Sequence, residues 1–252
     1  MTIDIARLNP RPAGFGQCQN CAYRDVGPPA ICYACFREWS RPPPNAGCGA
    51  CGRPDLEFGG VCGNPYCNRE RWYDRNLTIS FREGVLHTKM NAYKFRGVRG
   101  WALIFARILL GHLNASVVQF QDYDLIVATP TYQRAGAAQS TTSPGFVLRT
   151  AAKLDQYGWA FDVDAPAAII KTTETTAMKG KTWRQREQIA ETELRAALSI
   201  PDRGKTRGKR ILAFDDLYTT GHTLNEVARC LIQQGGALQV TGLSLARQLH
   251  AG

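Results

Sequence analysis

The chain has 252 residues, of which 44% are hydrophobic, and this allows one α/β domain with an appendage and a sizeable core. Its net charge of +10 indicates anionic partners such as nucleic acid, nucleotides or phosphorylated sugars, without choosing among them. No stretch approaches the ~20 apolar residues of a membrane-spanning helix. The first residues also lack a secretory pattern, so we expect no membrane span and a cytoplasmic location.

The N-terminal part of the chain is rich in cysteine. Residues 1–17 carry several Pro and Gly residues and predict a flexible lead-in, and residues 18–70 predict a small zinc-binding domain. A two-residue spacer lets both thiolates of a C-x-x-C pair reach one tetrahedral ion, and grouped pairs in a cytosolic protein favour zinc over disulfides. We therefore predict two structural four-cysteine zinc sites, against the alternatives of one zinc or of redox cysteines. The eight proposed ligands are Cys18, Cys21, Cys32, Cys35, Cys48, Cys51, Cys62 and Cys67.

The pairing of these cysteines stays open. Sequential pairing joins the first four at one ion and the last four at the other. It encloses shorter loops, whose closure costs slightly less entropy. Interleaved pairing would instead give a cross-braced domain.

The remaining residues, 71–252, alternate predicted strands with predicted helices. Short apolar runs between turn signals predict strands over 72–82, 124–128, 167–171, 210–214 and 238–245. Apolar residues at helical spacing predict helices over 85–95, 99–113, 146–157, 183–198 and 223–234. The Thr-rich run 172–182 has no periodic pattern and predicts a mobile loop. This alternation favours an α/β fold with a parallel sheet and helices on both faces.

Near the C-terminus, an acidic pair and a Thr/Gly loop follow one of these strands. Asp215 and Asp216 stand after the apolar run 211–214, at the strand end where open α/β sheets bind ligands. The segment from Thr219 to Thr223 then brings backbone N–H groups and three hydroxyls to a helix N-terminus, which favours an anion. The alternative is an ordinary polar turn between a strand and a helix.

Residues 211–223 resemble the phosphoribosyl-pyrophosphate signature of type I phosphoribosyltransferases. The resemblance implies that Asp215 and Asp216 are catalytic residues that hold the ribose hydroxyls. It also implies that the following residues bind the phosphate: Tyr218, Thr219, Thr220, Gly221, His222 and Thr223. The family usually has a small residue at position 222, and we expect the His222 side chain to point outward and to be tolerated rather than catalytic.

The wider pattern resembles the ComF-type competence-associated family of type I phosphoribosyltransferases. The resemblance rests on the cysteine segment, on the helix that ends Tyr93-Lys94-Phe95-Arg96-Gly97, on residues 129–134 and on the signature. It implies a phosphoribosyltransferase core with a small N-terminal zinc domain. It also implies a pyrophosphate loop in which Thr131 and Arg134 contact the substrate, against the alternative of a solvated arginine on a plain strand exit. The run after Arg134 departs from the family pattern.

The function implied by this resemblance is binding of phosphoribosyl pyrophosphate with Mg²⁺, and transfer of the phosphoribosyl group to an acceptor that the sequence does not identify. A role in DNA uptake or single-strand processing and a homodimer follow by analogy only. One rival is a non-catalytic single-stranded DNA-binding protein, because residues 71–107 interleave cations with aromatic side chains that could stack on bases. Another is an adaptor for a DNA-processing protein. We expect Trp101 to be core and leave Tyr93 and Phe95 open.

Overall fold

The computed structural model describes residues 40–43, 47–54, 56, 60–134, 136 and 140–249. The predicted lead-in and the predicted ligands Cys18, Cys21, Cys32 and Cys35 lie outside these residues. The described part has a mixed α/β fold with a central parallel sheet, as predicted, and a cysteine cluster on its N-terminal side. In the same part of the chain, no helix is both long enough and apolar enough to cross a membrane.

Four of the strands form the central sheet in the order β1-β6-β5-β2, and each neighbouring pair is parallel. The other two strands form a short antiparallel pair. Because all four central strands run the same way, their carboxyl ends lie at one edge of the sheet. The six strands are β1 (Asn76–Phe81), β2 (Leu125–Ala128), β3 (Ile170–Lys171), β4 (Leu198–Ser199), β5 (Arg210–Tyr218) and β6 (Gln239–Arg247).

Of the α-helices that the structure describes, two begin where the local sequence supplies a side-chain cap. Ser143 accepts a hydrogen bond from the Phe146 N–H at the start of α4, and Thr182 and Gln185 form a capping box at the start of α5. A π-helical turn over Ala190–Leu194 joins α5 to α6. The helices are α1 (Gly84–Arg96), α2 (Trp101–Ala115), α3 (Val117–Phe120), α4 (Pro144–Leu154), α5 (Trp183–Ile189), α6 (Arg195–Ala197) and α7 (His222–Gln233).

The core consists of two apolar layers, one on each face of the sheet. Successive side chains of a strand point to opposite faces, so Leu212 and Phe214 of β5 pack with α1, α2 and α4. Ile211 and Ala213 of the same strand pack with α7. The predicted arrangement with helices on both faces is therefore confirmed.

Several elements differ from the sequence prediction. Strand β1 begins at Asn76 rather than at residue 72, and β3 begins at Ile170 rather than at residue 167. Strand β5 continues to Tyr218, four residues beyond the predicted end, because β6 pairs with it as far as Tyr218 and Arg247. The predicted helix over 183–198 is interrupted by the π-helical turn, and its last residue begins β4. Pairing with β3 gives the backbone at Leu198 its hydrogen-bond partners. A sequence pattern within one segment cannot reveal this pairing.

Candidate functional site

The Thr/Gly loop, residues 219–223, connects the carboxyl end of β5 to α7. Gly221 precedes the helix with a φ of 97°, a conformation that side-chain-bearing residues rarely adopt. A Cβ at this position would lie 2.6 Å from the hydroxyl oxygens of both Tyr218 and Tyr73. Glycine is therefore required both by the backbone turn and by the space available.

The two predicted catalytic carboxylates lie in different surroundings. Asp215 is half-buried, lines a cavity together with Thr219, Thr220 and the following residues, and accepts a hydrogen bond from the Asp216 N–H at 2.8 Å. Asp216 is 1% exposed, and its Oδ1 lies 2.6 Å from Nζ of Lys94 on α1. Because both residues belong to β5, the alternation of the strand separates their side chains.

The surroundings also shift the pKa values of Asp215 and of Lys94. Burial, and then the negative charge of Asp216, raises the pKa of Asp215 to about 7. Burial opposes the charge of Lys94, but the carboxylates of Asp216 and Asp215 outweigh that effect and raise its pKa. Lys94 is thus held as a cation beside the acidic pair, and Asp215 is poised to exchange a proton near neutral pH.

His222 does not point outward, so this expectation was wrong. It is 1% exposed and packs edge-on against Tyr66 with ring centroids 4.8 Å apart, and against Trp183 at 5.1 Å. Its Nδ1 is hydrogen-bonded to the Thr220 hydroxyl. Burial, together with Arg69 and Arg186, lowers the pKa of His222 to about 4, so the ring is neutral at physiological pH. The Thr220 hydroxyl is engaged within the loop.

The Thr/Gly loop is covered by the segment that the sequence predicted as a mobile loop. Met178 lines the same cavity as Asp215, and its sulfur accepts a hydrogen bond of 3.9 Å from the Thr223 hydroxyl. Farther along, the Lys179 ammonium lies 3.7 Å from the ring centroid of Phe95 at the end of α1. The remaining cavity is about 30 Å³, so a sugar phosphate must displace Met178 to enter.

A larger cavity of about 570 Å³ lies at the carboxyl end of β2. The predicted pyrophosphate-loop residue Thr131 lines it, together with Arg149 and Lys171. The other predicted loop residue, Arg134, does not line it. Its side chain is 77% exposed and lies 3.4 Å from Glu174. The structure thus places Thr131 at a cavity and Arg134 on the surface above the covering segment.

The second predicted cysteine group comes together in space. The sulfurs of Cys48, Cys51, Cys62 and Cys67 all lie within 4.8 Å of one another, and those of Cys51 and Cys62 are 3.7 Å apart. Tetrahedral zinc with Zn–S bonds of about 2.3 Å requires sulfurs ~3.8 Å apart. These four cysteines therefore fit a metal ion such as zinc, and sequential pairing accounts for this group.

Two residues beside the acidic pair and the loop were not identified as site residues from the sequence. Lys94 marked a family resemblance, but nothing in its local pattern placed it against Asp216, which lies far along the chain. Asn64 lies between the ligands Cys62 and Cys67, and its side chain donates to the Thr220 carbonyl at 3.2 Å. The sequence offered only an indirect signal for these two residues. A polar side chain beside a buried motif must find a hydrogen-bond partner, but the sequence does not say which one.

Comparison with known proteins gives a short match. A segment of 40 residues is 50% identical to the competence protein ComFC of Bacillus subtilis (strain 168). That segment is 16% of this chain and 17% of the relative, so most of both chains lies outside the match. No family model matches the chain. The match supports a relationship to ComF-type proteins, and the cysteine cluster agrees with it.

Proposed function

We propose that this protein binds phosphoribosyl pyrophosphate at the carboxyl edge of its sheet and transfers the phosphoribosyl group to an acceptor, on a type I phosphoribosyltransferase core. The observation that carries the proposal is the geometry at the end of β5. There the half-buried Asp215 and the Thr/Gly loop line one cavity at the N-terminus of α7. A helix N-terminus favours an anion, and a carboxylate accepts hydrogen bonds from sugar hydroxyls.

The two carboxylates take different roles in this proposal. Asp215 faces the cavity and accepts from the ribose hydroxyls or holds substrate-bound Mg²⁺, an ion that prefers oxygen ligands. Asp216 is paired with Lys94 and acts indirectly. Its carboxylate and the Lys94 ammonium change the electrostatic potential at Asp215, and with it the pKa of Asp215. The loop from Tyr218 to Thr223 binds the phosphate, chiefly through its backbone N–H groups.

In this proposal, the pyrophosphate leaving group and the acceptor bind in the 570 Å³ cavity. Thr129 follows β2, lines this cavity and donates its N–H to the carbonyl of Phe214, the residue before Asp215. Its lining cations Arg149 and Lys171 are suited to offset the charge of a departing pyrophosphate. The segment that carries Met178 then closes the site against water.

Release of pyrophosphate tests the transferase. The wild type and Asp215→Asn are incubated with phosphoribosyl pyrophosphate, Mg²⁺ and pools of nucleobases or amines. Asp122→Asn is the matched control, because Asp122 is 70% exposed and precedes β2 at the opposite edge of the sheet. We expect release by the wild type and the control and its loss in Asp215→Asn. Equal release by all three proteins would contradict the proposal.

A second candidate function is binding of single-stranded nucleic acid. Most aromatic side chains of the predicted track are core, since Tyr73, Phe81, Tyr93 and Trp101 are buried. A groove of about 540 Å³ nevertheless includes Arg71 and the half-exposed Trp72 of this track. Its lining also contains Arg69 and Arg195, beside the carboxylates of Glu70 and Glu191. Binding of single-stranded nucleic acid there should weaken as salt rises, with a slope of about −0.7 per phosphate contact when log affinity is plotted against log salt concentration. A flat response would remove this candidate.

The biological role we propose is in competence, in DNA uptake or the processing of single strands. It rests on the similarity to a protein named for competence. A DNA-processing protein partner and a homodimer belong to the same proposal.

A further inference from the structure

The turn between two of the metal-binding cysteines lies against the Thr/Gly loop. Asn64 follows Cys62 by two residues, and its own N–H lies 3.5 Å from the Cys62 sulfur. Its side chain is buried, with Oδ1 accepting from the Tyr66 N–H at 3.3 Å, so the amide group is held in one orientation. In that orientation Nδ2 points to the Thr220 carbonyl at 3.2 Å and to the Tyr218 hydroxyl at 3.4 Å.

The hydrogen bond to Thr220 controls the part of the loop that would face an anion. A trans peptide places its carbonyl and the next N–H on opposite sides. Holding the Thr220 carbonyl toward Asn64 therefore turns the Gly221 N–H away from it. Because Gly221 is conformationally permissive, this peptide needs an external partner to keep one orientation.

The cysteine segment is also linked to residues on both sides of Thr220. Before the loop, the Arg247 guanidinium lies 5.0 Å from the Tyr218 ring and donates to the Cys51 carbonyl at 2.7 Å. Within the loop, Tyr66 packs on His222. The segment between Cys62 and Cys67 thus contacts the loop at Thr220 and at His222, and Arg247 links Cys51 to Tyr218 just before the loop.

We propose that Asn64 is a positioning residue that couples the metal site to the Thr/Gly loop, so that loading the metal raises affinity for the phosphorylated ligand. The ion holds Cys62 and Cys67 together, and with them the turn that aims Asn64. The coupling is reciprocal by thermodynamic necessity, so the ligand must also raise the affinity for the metal. This inference rests on the proposed sugar-phosphate site, and it assigns the metal site a role in ligand binding.

The test compares Asn64→Ala with Asn68→Ala in the full chain. Asn68 lies on the same turn and donates to the Cys62 carbonyl at 2.6 Å, but it makes no contact with the loop among those the structure describes. The first measurement is hydrogen exchange of the amides at 219–223 in the zinc-loaded proteins without ligand. We expect faster exchange in Asn64→Ala at unchanged zinc content, and exchange as in the wild type for Asn68→Ala.

The second measurement is the equilibrium affinity for zinc, from competition with a chelator, with and without phosphoribosyl pyrophosphate and Mg²⁺. We expect the ligand to raise the zinc affinity about tenfold in the wild type and in Asn68→Ala, and to have no effect in Asn64→Ala. If Asn64→Ala does not fold, the wild type is compared before and after removal of its metal. Faster loop exchange without metal supports the coupling, and unchanged exchange overturns it.

The two proposals fail in different ways. A wild type that binds no phosphoribosyl pyrophosphate contradicts the proposed function, and loop exchange still tests the coupling. If the wild type binds phosphoribosyl pyrophosphate, but Asn64→Ala shows the same loop exchange and the same effect of the ligand on zinc binding as the wild type, only the coupling is overturned.

Discussion

At the scale of single residues, the environment of Asp215 sets its chemistry. Burial and the charge of Asp216 raise its pKa to about 7, well above the ordinary value for aspartate. In the unfolded chain this carboxyl loses its proton at a lower pH. Between about pH 4 and pH 7 the folded state therefore binds more protons, and the contribution of Asp215 to stability falls as pH rises.

Replacement of Asp215 by asparagine removes this titrating carboxyl. We expect Asp215→Asn to be more stable than the wild type at pH 8, and the difference to shrink at pH 5. Urea denaturation at both pH values measures it, with Asp122→Asn as the exposed control. A difference that is the same at both pH values would show that the Asp215 carboxyl is ionised across this range.

Gly221 is the second residue on which the site depends. Alanine at this position meets two hydroxyl oxygens at 2.6 Å and must adopt a φ of 97°. Overpacking and the strained backbone together should cost about 2–4 kcal/mol of unfolding free energy. Gly208 is the matched control, because it has a φ of 72° and a Cβ added there would meet nothing within 4 Å. Equal losses for Gly221→Ala and Gly208→Ala would mean that crowding plays no part.

At the scale of elements, a metal bound by the four clustered cysteines would hold together the turns between them. Cys51 and Cys62 are buried in the layer that also contains α7, so an ion there would connect the N-terminal segment to the sheet. A zinc site that lacks one thiolate loses most of its affinity, and the binding free energy is also folding free energy.

We therefore expect Cys51→Ser to carry one zinc fewer per chain than the wild type, and to unfold at a lower temperature. Cys230→Ser is the control, since Cys230 is buried in α7 and is not one of the four clustered cysteines. Metal analysis of the purified proteins measures the difference. Unchanged zinc content in Cys51→Ser would remove this group as a site. The predicted site at Cys18, Cys21, Cys32 and Cys35 would account for any further zinc.

At the scale of the whole molecule, local patterns predicted the sheet, its flanking helices and the second cysteine group. Each of these depends on residues close together in sequence, such as the apolar run 211–214 or the Cys48 and Cys51 pair. The pairing of Lys94 with Asp216 and of Asn64 with Thr220 was not predicted, because each joins segments more than 100 residues apart. His222 was misplaced because side chains from other segments, Tyr66 and Trp183, bury it.

The central claim is that the end of β5 binds a sugar phosphate. Calorimetric titration of phosphoribosyl pyrophosphate, with and without Mg²⁺, into the wild type, Asp215→Asn and Asp122→Asn tests it most directly. The account predicts Mg²⁺-dependent binding by the wild type and Asp122→Asn, and its loss in Asp215→Asn. Absence of binding by the folded wild type, or equal binding by all three proteins, would contradict it.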